Sequence, residues 1–274
     1  TWALRSGESC THDNCNGYQP AVEEQLDYDI NGDGNVDTDD KAYKITNAGQ
    51  LYWFAYKVNN DYENYKDKNA ILTNDITVNE GVLSGGELNT ENESTFRSWT
   101  PIGYYDNAFY PYNGIFDGAG YKITGLYFKD DSKIRVGLFG VNGGTIKNVN
   151  IADSYFCGQN RVGGVCGQNY TGGKIKTCNN INSFVSGNQF VGGVCGNDYQ
   201  GDIITDCNNT GKVQGSTNVG GVCGGISSGS VINCGNTGKV TGTGENVGGV
   251  CGLLLTSSSS LETSYNTGDV QGSS

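Results

Sequence analysis

Between Asp29 and Asp40 the chain reads DINGDGNVDTDD, a twelve-residue run rich in side-chain oxygen. Counting Asp29 as position one, Asp29, Asn31, Asp33, Asp37 and Asp40 fall at positions 1, 3, 5, 9 and 12. Gly34 stands at position 6, where such a loop turns sharply, and Asn35 at position 7 would offer its backbone carbonyl. Hard cations take oxygen ligands at about 2.3–2.6 Å, and this spacing lets one short loop wrap a single Ca2+. The expected ligands are Asp29, Asn31, Asp33, the carbonyl of Asn35, Asp40 and, through water, Asp37. Val36 at position 8 is expected to point inward. The alternative is an acidic turn that matches by chance.

A second group of residues suggests recognition. Ten residues between Gly103 and Gly114, YYDNAFYPYN, break the surrounding pattern and carry Tyr104, Tyr105, Phe109, Tyr110 and Tyr112. Aromatic rings combine a large apolar area with a polar edge, which suits contact with a sugar or a protein. The same residues also suit an apron packed on the flank of the domain. Tyr62 and Tyr65 either join this cluster or flank a nearby helix.

Other chemistry is poorly supplied. The one histidine, His12, excludes an HExxH metallopeptidase motif, and no CxxC pair suggests zinc. Asp198, Asp202 and Asp206 are close in sequence, yet no second acid recurs at the same place in a neighbouring repeat, as paired-carboxylate hydrolysis would require. The chain is therefore read as non-catalytic. Ten cysteines include Cys10 and Cys15 near the start and an isolated Cys157. The other seven follow a repeat, as Cys166, Cys195, Cys223 and Cys251 in one position and Cys178, Cys207 and Cys234 in another. They read either as columns of buried thiols or as a bond across each coil, such as Cys166–Cys178.

That repeat is the framework that must position everything else. VGLFG at Val136–Gly140 is followed by VGGVCG starting at Val162, Val191, Val219 and Val247. A near-constant period of this length marks a solenoid whose coils bury their apolar edges against one another. Each repeat shows three short β-type segments divided by Gly, Asn, Ser and Thr, with Val, Ile and Cys alternating with polar or small residues. The fold class expected is all-β, a right-handed parallel β-helix rising about 4.8 Å per coil. Its exposed positions are read as mostly Asn, Ser, Thr and Gly. Thr46 to Asn60 reads as a helix capped by Asn47, with Gln50 completing a capping box. Leu51, Phe54, Ala55 and Val58 form its apolar face, which should cover the first coil. NAILTNDITV, Asn69–Val78, reads as the first strand.

Composition sets further bounds. Residues 1–100 carry 18 acidic against 7 basic side chains, and residues 101–274 carry 11 against 10. An acidic chain without a basic patch argues against nucleic acid as a partner. No apolar run approaches 18 residues, so no transmembrane segment is expected. With no methionine, Thr1 reads as a processed or engineered start.

Several motifs occur in a fixed order: KITNAGQLYWFAYKVN, ILTNDITV, WTPIG, GIFDGAGYKITGLYF, VGLFG and GGTIKNV. This series resembles the GLUG-repeat surface proteins of bacteria, found in adhesins and in the non-catalytic region of IgA-specific metallopeptidases. The twelve-residue loop resembles the calcium loop of dockerin repeats, which also use Asp at position 12. The organisation expected is an N-terminal calcium-loop segment, residues 1–41, then a capping helix and β-helix, residues 42–274, continuing beyond Ser274 in a longer surface protein. The resemblance implies a secreted or cell-surface adhesin or presentation module that meets a host protein or glycan. The alternative is a carbohydrate-binding or polysaccharide-degrading module using residues 104–113.

The calcium expectation is directly measurable. Calorimetry on metal-free protein should show heat on Ca2+ addition, and Asp33→Ala should weaken binding by removing a charged ligand. Absence of heat with the parent protein would refute the loop's assignment.

Overall fold

The computed structural model describes residues 17–104, 109–200 and 203–272. Cys10, His12, Cys15, Tyr105 and Asp202 lie outside the described residues. The chain winds as a parallel β-solenoid of about eight turns. A complete coil holds five short strands, not the expected three: Asn160–Gly163, Cys166–Asn169, Lys174–Lys176, Asn179–Ile181 and Phe184–Ser186. One extra division falls inside VGGVCG, between Gly163 and Cys166, and the other arises at a corner held by a non-glycine residue in the left-handed region. Thr177 has φ of 54° and splits KIKTCNN into two strands; Asp206 at 56° and Asn233 at 53° do the same in the next coils. Side chains other than glycine adopt this conformation infrequently, so the corners are hidden in a sequence scan.

The strands stack into five parallel sheets running along the solenoid. Register follows the repeat: Val162 lies on Val191, Val191 on Val219, and Val219 on Val247. Cys166, Cys195, Cys223 and Cys251 form one column, and every described cysteine is a free thiol, so the bond across each coil is not formed. In the second column the Sγ of Cys178, Cys207 and Cys234 lies 3.1–3.2 Å from the carbonyl two residues before it. In the next coil Ser264 takes this place and donates from Oγ to the Glu262 carbonyl at 2.8 Å. A serine doing the same task identifies these thiols as small buried donors, and burial pushes the Cys195 and Cys207 thiols far above their ordinary range.

A third column is polar. Asn180, Asn209 and Asn236 are buried inside the coils, although the sequence pattern reads such asparagines as exposed. Asn180 Nδ2 donates to Asn209 Oδ1, and Asn209 Nδ2 to Asn236 Oδ1, each at 2.8 Å. Asn236 continues the chain to Asn266 at 2.7 Å. The glycine pair of VGGVCG answers this column. A Cβ on Gly193 would fall 2.3 Å from Asn209 Cγ and 2.3 Å from the Gly221 carbonyl oxygen, so no side chain fits there. In the coil that begins with VGLFG one glycine is absent, and Ile151 stands where Asn180 stands one coil later.

The N-terminal end is wider and apolar. Phe54, Trp99, Tyr112, Phe116, Phe139 and Phe156 are among the largest fully buried side chains. Two of these columns narrow upward: Phe139 is followed by Cys166, and Phe156 by Val185. Above this base sits helix α1 (Ala48–Asn60). Asn47 Oδ1 accepts from the Gln50 amide at 3.1 Å, as expected of the cap, but Gln50 Oε1 accepts at 2.7 Å from the Thr46 amide, one residue before the cap, instead of closing a capping box on Asn47. Leu51, Phe54, Ala55 and Val58 are all buried, and Phe54 meets the rings of Tyr112 and Phe116.

The solenoid sheet begins earlier than Asn69. Strand β1 (Val22–Gln25) pairs antiparallel with β2 (Lys41–Ile45), and β2 pairs in parallel with Ala70–Leu72. This ladder ties the acidic N-terminal loop to the coils. On another flank, the hairpin of Leu83–Ser84 and Glu87–Leu88 joins the cluster formed by Val82, Tyr127, Tyr155 and Phe184. Glu87 reaches as far as Lys212.

Phe54→Asp would place an unpaired charge in this aromatic base. The expected loss is about 4 kcal/mol or more, with aggregation on expression. A variant that remains as soluble and as resistant to heat as the parent would show that α1 does not cover the coils.

Candidate functional site

In the loop of residues 29–40, side-chain oxygens fold back onto backbone amides. Asp29 accepts from the amides of Gly32 and Gly34, Asn31 Oδ1 from the Asp33 amide, and Asp33 Oδ1 from the Asn35 amide. Asp37 Oδ1 accepts from the Asp39 amide. Asp40 is fully buried; its two oxygens accept from the amides of Ile30 and Asp37, each at 2.9 Å. The Asp37 amide, aided by that of Ile30, holds the Asp40 carboxyl below the usual carboxylate range. Gly32 and Gly34 have φ of 80° and 95°, the turn that position 6 calls for. Val36 does not point inward: it is 57% exposed, whereas Ile30 is buried with Leu26, Ala42 and Ile71. The loop rests on the solenoid through Ile30, which leaves the side carrying Val36 in water.

The donor set is all oxygen and chemically suited to a hard cation. Among the described residues, however, no three His, Cys, Asp or Glu side chains converge as a ready metal centre. The carboxylates point at the loop's own amides in this arrangement. Lys147 joins this loop to the coils: its Nζ lies 3.1 Å from the Ile30 carbonyl and 3.5 Å from Asp117 Oδ2.

The aromatic insertion is divided by the structure. Tyr112 is fully buried, donates its hydroxyl to the Lys68 carbonyl at 2.7 Å and packs on Phe54 and Phe139. Its ring belongs to the core and cannot face a ligand, because it lies inside the first coils. Tyr110 packs on Tyr62 with ring centroids 4.4 Å apart, and Tyr104 is half-buried. Tyr65 packs instead on Tyr43 and Trp53. Phe109 is 38% exposed and meets Tyr170 edge to face at 4.4 Å. Tyr170 stacks on Tyr199 one coil further at 5.9 Å with the planes 6° apart.

Arg135 lies 5.3 Å from the Phe109 ring centre, a cation–π distance, while its Nε donates to Gln168 Oε1 at 2.9 Å. The resulting strip of Phe109, Tyr170 and Tyr199 extends beyond the insertion. Tyr170 and Tyr199 were legible as a repeated feature, since CGQNY and CGNDY place a tyrosine at the same position in successive coils. The acids considered for catalysis are separated in role. Asp198 is fully buried and accepts from Asn169 Nδ2 at 2.8 Å, whereas Asp206 sits at an exposed corner and accepts from Asn233.

No family model matches the chain, and no curated protein matches it. Among solved structures it is similar to a Bacteroides ovatus protein described as a "putative immunoglobulin A1 protease", determined by crystallography at 1.30 Å. The TM-score is 0.60 at 21% sequence identity, with 83% of this chain and 67% of that chain covered. At this identity the likeness shows a shared β-solenoid fold. Among the described residues no helix is long and apolar enough to cross a membrane.

Proposed function

We propose that this chain is a non-catalytic β-helix module of a secreted or surface-attached bacterial protein, presenting a rigid binding face to a host protein or glycan. The observation that supports this reading most is where the polar side chains are used. Asn180, Asn209 and Asn236 hold coil to coil, Asp198 receives Asn169, and Asp117 faces Lys147. Buried polar networks of this kind give rigidity, which suits presentation rather than proton transfer. The order of motifs resembles that of GLUG-repeat surface proteins, and the fold of the Bacteroides ovatus neighbour suits a secreted or surface β-helix module. In this reading the loop of residues 29–40 takes Ca2+ as a structural ion. Asp29, Asn31, Asp33 and Asp40, with the Asn35 carbonyl, would hold it, and Asp37 would act through water. The ion would fix the acidic loop against Lys147 and the first coils.

A second reading is favoured by the strip of Phe109, Tyr170 and Tyr199, whose partly exposed rings would grip a carbohydrate. The primary reading is tested by displaying the chain on a non-adherent bacterium and counting cells retained on host epithelial and matrix-coated surfaces. Retention several-fold above the undisplayed strain is expected. Retention equal to the control, or cleavage of the coating by the purified chain, would overturn it.

A further inference from the structure

Where the acidic loop meets the coils there is an open cleft of about 500 Å³. One wall carries Tyr28, the residue before the first acid of the loop; the other carries Asp117, Asn148, Asn150, Thr177 and Asn179 from three successive coils. Its size lies within the range of small-molecule sites. Tyr28 is 37% exposed, so ring surface remains accessible.

The polar wall is held in place by its own hydrogen bonds. Asn148 Nδ2 donates to Asp117 Oδ1 at 3.0 Å, Asn150 Nδ2 to the Gly120 carbonyl at 2.7 Å, and Asn179 Nδ2 to Asn150 Oδ1 at 2.8 Å. Asn208 extends this outer row by donating to Asn179 Oδ1 at 3.2 Å. Thr177 sits at a left-handed corner with φ of 54°, as does Asn148 with 55°. Rigid carboxamides and a hydroxyl facing one aromatic ring form a surface that can hydrogen-bond hydroxyl groups on one side and pack against C–H groups on the other.

Charge narrows the ligand. Asp117 is the one charged side chain among the lining residues, and Lys147, next to lining Asn148, is engaged with Asp117 and the Ile30 carbonyl. The lining thus offers one carboxylate and no cation to pair with a sialylated, sulfated or uronic sugar.

We infer that this cleft is a saccharide-binding site for a neutral or amino sugar, with Tyr28 as the ring platform and Asn148, Asn150, Thr177 and Asn179 as the hydrogen-bonding wall. The inference rests on the presentation-module reading, and it names a ligand class and a place distinct from the aromatic insertion.

The test is a printed glycan array probed with the parent chain, Tyr28→Ala, Thr177→Val and Phe109→Ala, each checked for an unchanged melting profile. The parent should bind neutral or amino glycans and pass over sialylated and sulfated ones. Tyr28→Ala should lose about tenfold or more in affinity. Thr177→Val should bind measurably more weakly. Thr177→Val keeps the test decisive if Tyr28→Ala disturbs the loop. Binding that survives both cleft variants but falls with Phe109→Ala would move the site to the aromatic strip and overturn the inference. Selective capture of acidic glycans would also overturn it. A silent array beside retained adhesion on protein-coated surfaces would remove the saccharide site while leaving the presentation reading standing.

Discussion

The structure depends on a line of carboxamides buried inside the coils. An unpaired buried amide costs on the order of 1–3 kcal/mol, so such a residue is stabilised by each hydrogen bond it meets. Asn209 meets them twice over: it accepts from Asn180, donates to Asn236, and bonds both the carbonyl and the amide of Gly211. Each bond reaches into the next coil or fixes the following turn. A slip by one residue would break the line and turn every Val and Cys outward. The column therefore sets register, and it also sets composition. Gly193 and Gly221 are required because Asn209 and Asn236 occupy the space a side chain would need. The repeated VGGVCG reports the shape of the interior rather than a catalytic motif.

The two ends of the described solenoid solve different problems. At the N-terminal end, aromatic side chains and α1 seal a wide base, and β1 carries the acidic loop onto its edge. Higher up the interior thins to Val, Ile, Cys and Asn, and little apolar volume is needed because each coil is bonded to its neighbours. In the last coil Tyr265 is 53% exposed and Val270 is 41% exposed. What varies from coil to coil lies outside: the aromatic strip, the hairpin strap and the cleft beside Tyr28. A repetitive frame with varied flanks is an economical way to present binding surfaces, and it leaves fold and ligand choice nearly independent.

Much of this was legible in the sequence, for a physical reason. The period of VGGVCG, the N-cap at Asn47, and the face of Leu51, Phe54, Ala55 and Val58 are local patterns with one stable reading. Other features needed three dimensions. Of the neighbouring Asn179 and Asn180, one lies outside and one inside, because strand geometry sends adjacent side chains to opposite faces. Tyr110 and Tyr112 have the same chemistry, but only Tyr112 enters the core. Thr177 turns a corner without glycine or proline to announce it. The cleft was invisible in the sequence, since Tyr28 and Thr177 are brought together only by the ladder between β1 and β2 and the stacking of the coils.

The most direct test compares two adjacent asparagines by denaturant unfolding. Asn209 is the buried rung, and Asn208 is its outward neighbour. Asn209→Leu should cost about 3–5 kcal/mol, because it strands the amide groups of Asn180, Gly211 and Asn236 inside the coil. It should also speed hydrogen exchange at the flanking coils. Asn208→Ala should cost under about 1 kcal/mol. An Asn209→Leu protein as stable as the parent, or one no weaker than Asn208→Ala, would contradict the claim that the asparagine column holds the solenoid in register.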